Sequence, residues 1–270
     1  MSCRYTDAKK AFIDEVKTDE YIELEGSRRA FLQLTHSLRK STKMVLIYGE
    51  PGTGKTLLLH RLYEKYREQM EIHLLDIPSG TRQEFYRKLF RIFTGKEMPP
   101  RTKVDFETFV AFARRIKGKR NIVVLLDEAQ MYPKEMLEEI RVLSDTGSIK
   151  FVIALHKTED EDLVAKKHFQ SRIWETIELR NATPLELNAY IHKHLLHHGH
   201  NELASLFKDR HIKLIHRWTA GNFRECNKIL YTLFEIYEHY DKHDPQKIDY
   251  NKISIKHLEM AAIKTGFIHV

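Results

Sequence analysis

Residues 46–62 read LIYGEPGTGKTLLLHRL: an apolar strand that passes through closely spaced glycines into a helix. Gly49, Gly52 and Gly54 let the backbone turn tightly and leave successive N–H groups free to face one concavity. Lys55 follows at once, and Leu57, Leu58 and Leu62 continue at helical spacing. Strand, GxxxxGK[ST] and helix, in that order, make a phosphate loop in the context the motif requires.

The segments around it extend the pattern. MVLIY (44–48) reads as a buried strand and residues 55–69 as a helix. EIHLLDI (71–77) is a second strand and 82–94 a second helix, before GKEMPPR breaks the chain. Residues 105–117 are helical, and NIVVLLD (121–127) is continuously apolar, as a parallel strand buried on both faces must be. A helix at 134–144, the strand KFVIAL (150–155), a short helix at 161–169 and the strand WETIEL (174–179) complete the alternation. Strands alternating with helices predict an α/β fold, a parallel five-stranded sheet with right-handed crossovers.

Past residue 180 the strand signal ends. Thr183-Pro184-Leu185-Glu186 has a capping hydroxyl, proline in the first turn and glutamate three residues on, so it predicts a helix start. Helices are expected at 184–198, 201–208, 210–218, 222–240 and 255–264. The expected organisation is an N-terminal arm (1–22), an α/β nucleotide-binding domain (23–180) and an all-helical lid domain (181–270).

Within the loop, Gly49, Glu50, Pro51, Gly52, Thr53, Gly54, Lys55, Thr56 and the following Leu57 are the expected nucleotide contacts. Lys55 would reach the β- and γ-phosphates, and the Thr56 hydroxyl would ligate Mg²⁺. The second half of the site is VVLLDEAQ, a strand that delivers Asp127 to the carboxyl edge of the sheet, where ligands bind. Asp127 suits Mg²⁺, and Glu128 suits the role of general base toward water. A nucleoside kinase has an acceptor other than water and needs no glutamate there, so the pair points to hydrolysis.

Composition narrows the setting. The net charge is +7, with 45 Lys/Arg against 38 Asp/Glu. Residues 82–120 hold twelve of the basic residues and only four acids, which leaves 33 basic against 34 acidic elsewhere. That one segment therefore carries the excess and is a candidate surface for DNA, unless it is simply a solvated helical face. Two cysteines, Cys3 and Cys226, exclude a disulfide framework. The N-terminus lacks an apolar leader and no run approaches the ~20 apolar residues of a bilayer span. The expected location is cytoplasmic, peripheral at the inner membrane only through a partner.

Taken together, GEPGTGKT, LLDEAQ, LEEIRVLSD (137–145), QSRI (170–173), TPLELNAYIHKHL (183–195) and TAGNFRECNKIL (219–230) resemble, in order, the AAA+ ATPases. Within them the chain is similar to the subgroup of general secretion pathway protein A, which takes in the ATPase of mannose-sensitive haemagglutinin pilus biogenesis and relatives that serve transposition. The resemblance implies ATP as nucleotide and a ring- or arc-forming oligomer. It implies that Arg172 reaches a neighbouring subunit's site and that Arg224 senses the γ-phosphate from the lid. His156, or Thr158, stands where the subgroup has its polar sensor, usually Gln. Phe223, Cys226, Ile229, Leu230 and Leu233 are expected to form that lid helix's buried stripe, with Arg224 off it and free to turn toward the cleft.

Secretion pathway protein A continues into a membrane span and a peptidoglycan-binding region, and this chain ends at Val270. An envelope role (type II secretion, a type IV pilus or DNA uptake) is therefore expected to act through a separate protein partner, without direct membrane insertion. A DNA-bound ATPase of the transposition-regulator type and a nucleotide-gated scaffold with negligible hydrolysis are the alternatives. His194, His197, His198 and His200 read as cations at a helix C-terminus stopped by Gly199, with no cysteine or carboxylate beside them in the sequence to complete a metal site. Trp174 and Trp218 are expected in the core.

Overall fold

The computed structural model describes residues 4–40, 44–99, 102, 105–156 and 173–269. The chain divides into two compact units, one comprising residues 29–50 and 55–179, the other residues 1–28, 51–54 and 180–270.

The first unit is built on a parallel sheet in the order β2-β3-β4-β1-β5, with β1 at Met44–Gly49, β2 at Ile72–Leu75, β3 at Ile122–Leu126, β4 at Ile149–His156 and β5 at Ile173–Glu178. Side chains alternate across a strand, so the continuously apolar strands serve two cores. Met44, Leu46, Val124, Leu126, Phe151 and Ile153 face one way. There they meet α4 (Arg82–Thr94), α5 (Phe106–Ile116) and α6 (Lys134–Asp145) through Phe85, Leu89, Phe109, Met136 and Ile140. Val45, Ile47, Val123, Leu125 and Val152 face the other way. They pack on Phe31, Leu34 and Leu38 of α2 (Glu25–Arg39) and on Leu58, Leu59 and Leu62 of α3 (Lys55–Tyr66).

The C-terminal end of α2 is closed by a lysine from the sheet. Lys150 Nζ donates to the carbonyls of Ser37 (2.7 Å), Leu38 (2.8 Å) and Lys40 (2.7 Å) where the helix ends. Burial pushes its ammonium down to about 8.

The second unit is helical: α1 (Arg4–Ala8), then α7 (Pro184–His197), α8 (Asn201–Leu206), α9 (Asp209–Thr219), α10 (Phe223–His243) and α11 (Ile255–Lys264). Thr183 caps α7 in a reciprocal box with Glu186, and Gly199 ends it in the left-handed region at φ 77°. Asn222 caps α10, whose stripe of Cys226, Ile229, Leu230 and Leu233 is fully buried. Burial pushes the Cys226 thiol up, so it is an inert core group. The N-terminal residues join this core: Tyr5 stacks on Tyr237 at 5.0 Å and Phe12 on Phe234 at 5.9 Å.

Trp218 packs partly buried against that core, but Trp174 does not share its fate. It is 64% exposed, because alternation along β5, an edge strand, turns Trp174 and Thr176 outward. The helix expected at 161–169, and with it Thr158 and Arg172, lies outside the described residues.

Candidate functional site

In the sheet order, β4 lies between β1 and β3, so the ends of these three strands bring the loop, the Asp-Glu pair and His156 to one carboxyl edge. Gly49 at the end of β1 is in register with His156. Lys55 and Thr56 open α3 directly after the glycines. Lys55 is 5% exposed, and its Nζ donates to Gly49 O (2.7 Å) and Glu50 O (2.9 Å), which holds the ammonium within the curl of the loop. Gly52 and Gly54 take φ of 82° and 90°, which side-chain-bearing residues rarely adopt. A Cβ on Gly54 would meet nothing within 4 Å. Left-handed glycines, open space and a buried ammonium at a helix N-terminus fit a triphosphate.

Asp127 follows β3 and is only 2% exposed. Burial raises its pKa above the ordinary carboxylate value, while the Thr56 hydroxyl and the Glu128 N–H pull it back down. The Glu128 N–H reaches Asp127 Oδ1 at 2.9 Å. Thr56 and Asp127, the two residues expected to hold Mg²⁺, are thus near enough for the hydroxyl to favour the ionised carboxylate. An acceptor-rich buried carboxylate beside a hydroxyl is the chemistry a hard divalent cation takes.

Glu128 adopts a left-handed backbone, φ 48° and ψ 41°, which costs a glutamate about 1 kcal/mol or more. Its carboxylate is gripped from two sides. His156 Nε2 lies 3.0 Å from Oε1, and the Gln130 side-chain amide donates to Oε2. The Gln130 amide nitrogen also stands 3.2 Å from His156 Nδ1. With that amide donating, Nδ1 accepts and Nε2 carries the proton that faces Glu128. Gln130 was visible in LLDEAQ, two residues after the glutamate, but the motif alone gives it no role.

Other residues expected at the site divide between the two units. Glu50 belongs with the sheet, while Pro51, Gly52, Thr53 and Gly54 group with the helical unit. There Asn222 Nδ2 donates to Pro51 O at 2.6 Å, and a Cβ on Gly52 would stand 2.4 Å from Asn222 Oδ1 and 2.8 Å from Arg224 Cβ. Arg224 is off the buried stripe as expected, yet it is not free. Its Nε pairs with Asp14 Oδ2 at 2.8 Å, a contact made by the stretch expected as an N-terminal arm (1–22), to which the sequence gave no role at the site.

Residues 38–163 match the family model described as AAA domain. That stretch is similar to an AAA domain. It is 24% identical over 254 residues to general secretion pathway protein A of Aeromonas hydrophila, covering 89% of this chain and 45% of that protein. It is also 24% identical over 165 residues to the Mu-like prophage FluMu DNA transposition protein B of Haemophilus influenzae, covering 60% of this chain and 55% of that protein. The chain thus spans about half the length of these curated relatives. The ADPNP-ADP complexes of the Aeropyrum pernix ORC2 protein superpose with a TM-score of 0.62 at 17% identity, over 97% of this chain and 72% of that one. The chain thus has the AAA+ P-loop fold.

The basic segment lies on α4, α5 and their connections. Arg82 pairs with Glu139 and Arg120 with Glu71, while Lys88 and Arg91 lie 3.2 Å and 3.5 Å from Glu84 and Glu97. Arg87, Lys96, Arg114, Arg115, Lys117 and Lys119 are exposed. Arg101 and Lys103 fall outside the described residues. Among the described residues no helix is long and apolar enough to cross a membrane.

Proposed function

We propose that the chain is a Mg²⁺-dependent ATPase whose nucleotide state switches its affinity for a partner. The observation that carries this is the convergence of Lys55, Thr56, Asp127 and Glu128 at one edge of the sheet, with Glu128 held by His156 and Gln130. Lys55 and the loop from Gly49 to Leu57 bind and orient the phosphates. Thr56 and Asp127 hold Mg²⁺, which when bound screens the phosphate oxygens. Glu128 takes the proton of the attacking water, and His156 keeps its carboxylate aimed. Arg224 from the lid (181–270), and Arg172 from a neighbouring subunit onto the domain at 23–180, are assigned on the resemblance to AAA+ ATPases. Hydrolysis would then depend on self-association.

The partner favoured is a protein of an envelope machine for secretion, pilus assembly or DNA uptake, with the chain peripheral to the membrane. What supports it is the similarity to general secretion pathway protein A along most of this chain. DNA is the second reading, supported by the exposed arginines and lysines of α4, α5 and their connections and by the transposition relative's name. Duplex binding with ATP, with ADP and without nucleotide, across a salt series, separates them. ATP-dependent binding that persists near physiological salt favours DNA, and binding lost with modest salt in every state favours the protein partner. ATP bound without turnover would leave a nucleotide-gated scaffold.

A further inference from the structure

The helical unit brings together ligand-bearing groups that lie far apart in the chain. Glu20, in the segment between the N-terminal helix and α2, meets His194 and His198 at the end of α7. One ligand atom from each lies within 4.8 Å of the other two. The two histidines are one turn apart and so share a face.

We propose that Glu20, His194 and His198 form a divalent metal site, with zinc the best fit. Two imidazoles and a carboxylate with one position left to water is a ligand set zinc accepts. Glu20 Oε2 and His198 Nε2 already stand 3.1 Å apart, close to the edge of about 3.3 Å that a tetrahedron with bonds near 2.05 Å requires. His194 Nδ1 is buried with no hydrogen-bond partner, an unmet demand at a nitrogen able to donate a lone pair. Its ring sits 4.4 Å from Tyr190 and 6.0 Å from Phe12, aromatic neighbours that fix the imidazole's orientation. His197, next to His198, is exposed and outside the cluster.

The site has a structural purpose. Residues 13–24 contain no regular element, and the same segment supplies Asp14 to Arg224. A metal at Glu20 fastens that segment to α7 and so fixes the residue that faces Arg224. The carboxylate was invisible to a local reading, since more than 170 residues separate it from the histidines.

The test is Zn²⁺ titration of the nucleotide-free full chain by calorimetry, with Co²⁺ absorption as a second readout of coordination. One equivalent is expected to bind, raising the Tm. Glu20→Gln, His194→Gln and His198→Gln should each weaken binding by about tenfold or more and remove the Tm rise. His197→Gln should match the wild type, and Asp127→Asn should retain the site. Circular dichroism shows whether each variant is folded. The proposal fails if the wild type takes up no Zn²⁺ at tens of micromolar. It fails equally if folded Glu20→Gln or His194→Gln binds as tightly as the wild type.

Discussion

His156 Nε2 and Glu128 Oε1 lie 3.0 Å apart, joining the last residue of β4 to the residue just beyond Asp127. The position of the imidazole marks it as the group that keeps the glutamate carboxylate in one orientation, with Gln130 on the other oxygen.

His156→Ala should therefore lower kcat by about 10- to 100-fold, as expected for loss of alignment, with KM for ATP little changed. His156→Gln keeps a donor and should recover part of the loss. Steady-state kinetics of the two variants distinguish positioning from nucleotide binding.

The Arg224–Asp14 pair predicts a smaller effect. Arg224 is 46% and Asp14 58% exposed, so the pair is worth at most about 1 kcal/mol. Asp14→Asn should raise ATP affinity, by no more than about fivefold, because Arg224 loses a competing anion. Arg224→Ala should lower it. Equal affinities in all three proteins would remove Arg224 from phosphate recognition.

Gly52→Ala and Gly54→Ala should differ. Both positions have positive φ, but only at Gly52 would the added methyl meet Asn222 and Arg224. Alanine at Gly52 should therefore lower the Tm more than at Gly54, where backbone strain of about 1 kcal/mol or more acts alone. Thermal melts of the two proteins check the order.

Acid should loosen the N-terminal residues. Hydrogen bonds from Lys242, Lys9 and Thr6 hold the Glu238 carboxyl down to about 2, below its ordinary value of 4.5. A carboxyl lowered on folding contributes its stability in full above its unfolded pKa and loses it as pH falls toward the folded one. Its contribution is thus complete above about pH 4.5 and fades toward pH 2. Glu238→Gln should flatten the acid limb of stability measured by urea midpoints in that range.

Much of this molecule was legible where local physics decides. Helices at 82–94 and 255–264 span the residues expected of them, and the apolar strands fall in a parallel sheet. The second strand is shorter than read, stopping at Leu75 before exposed Asp76 and Ile77. Helix α2 went unread although Phe31, Leu34 and Leu38 carry its period, and α1 has five residues, too few for a periodic signal. The loop and the Asp-Glu pair are short motifs, so residue types and spacing suffice. His156 against Glu128, Asp14 against Arg224 and Glu20 against His198 are tertiary pairings. Those partners follow from the fold and not from neighbours in the chain.

Central to the proposed activity is Glu128 acting on water beside Lys55, Thr56 and Asp127. The most direct measurement is Mg²⁺-dependent phosphate release from ATP by the wild type and by Glu128→Gln, beside fluorescent ATP binding to each. The wild type should turn over, and the variant should bind ATP equally well while hydrolysis falls by about 100-fold or more. Undiminished phosphate release by Glu128→Gln would contradict the account.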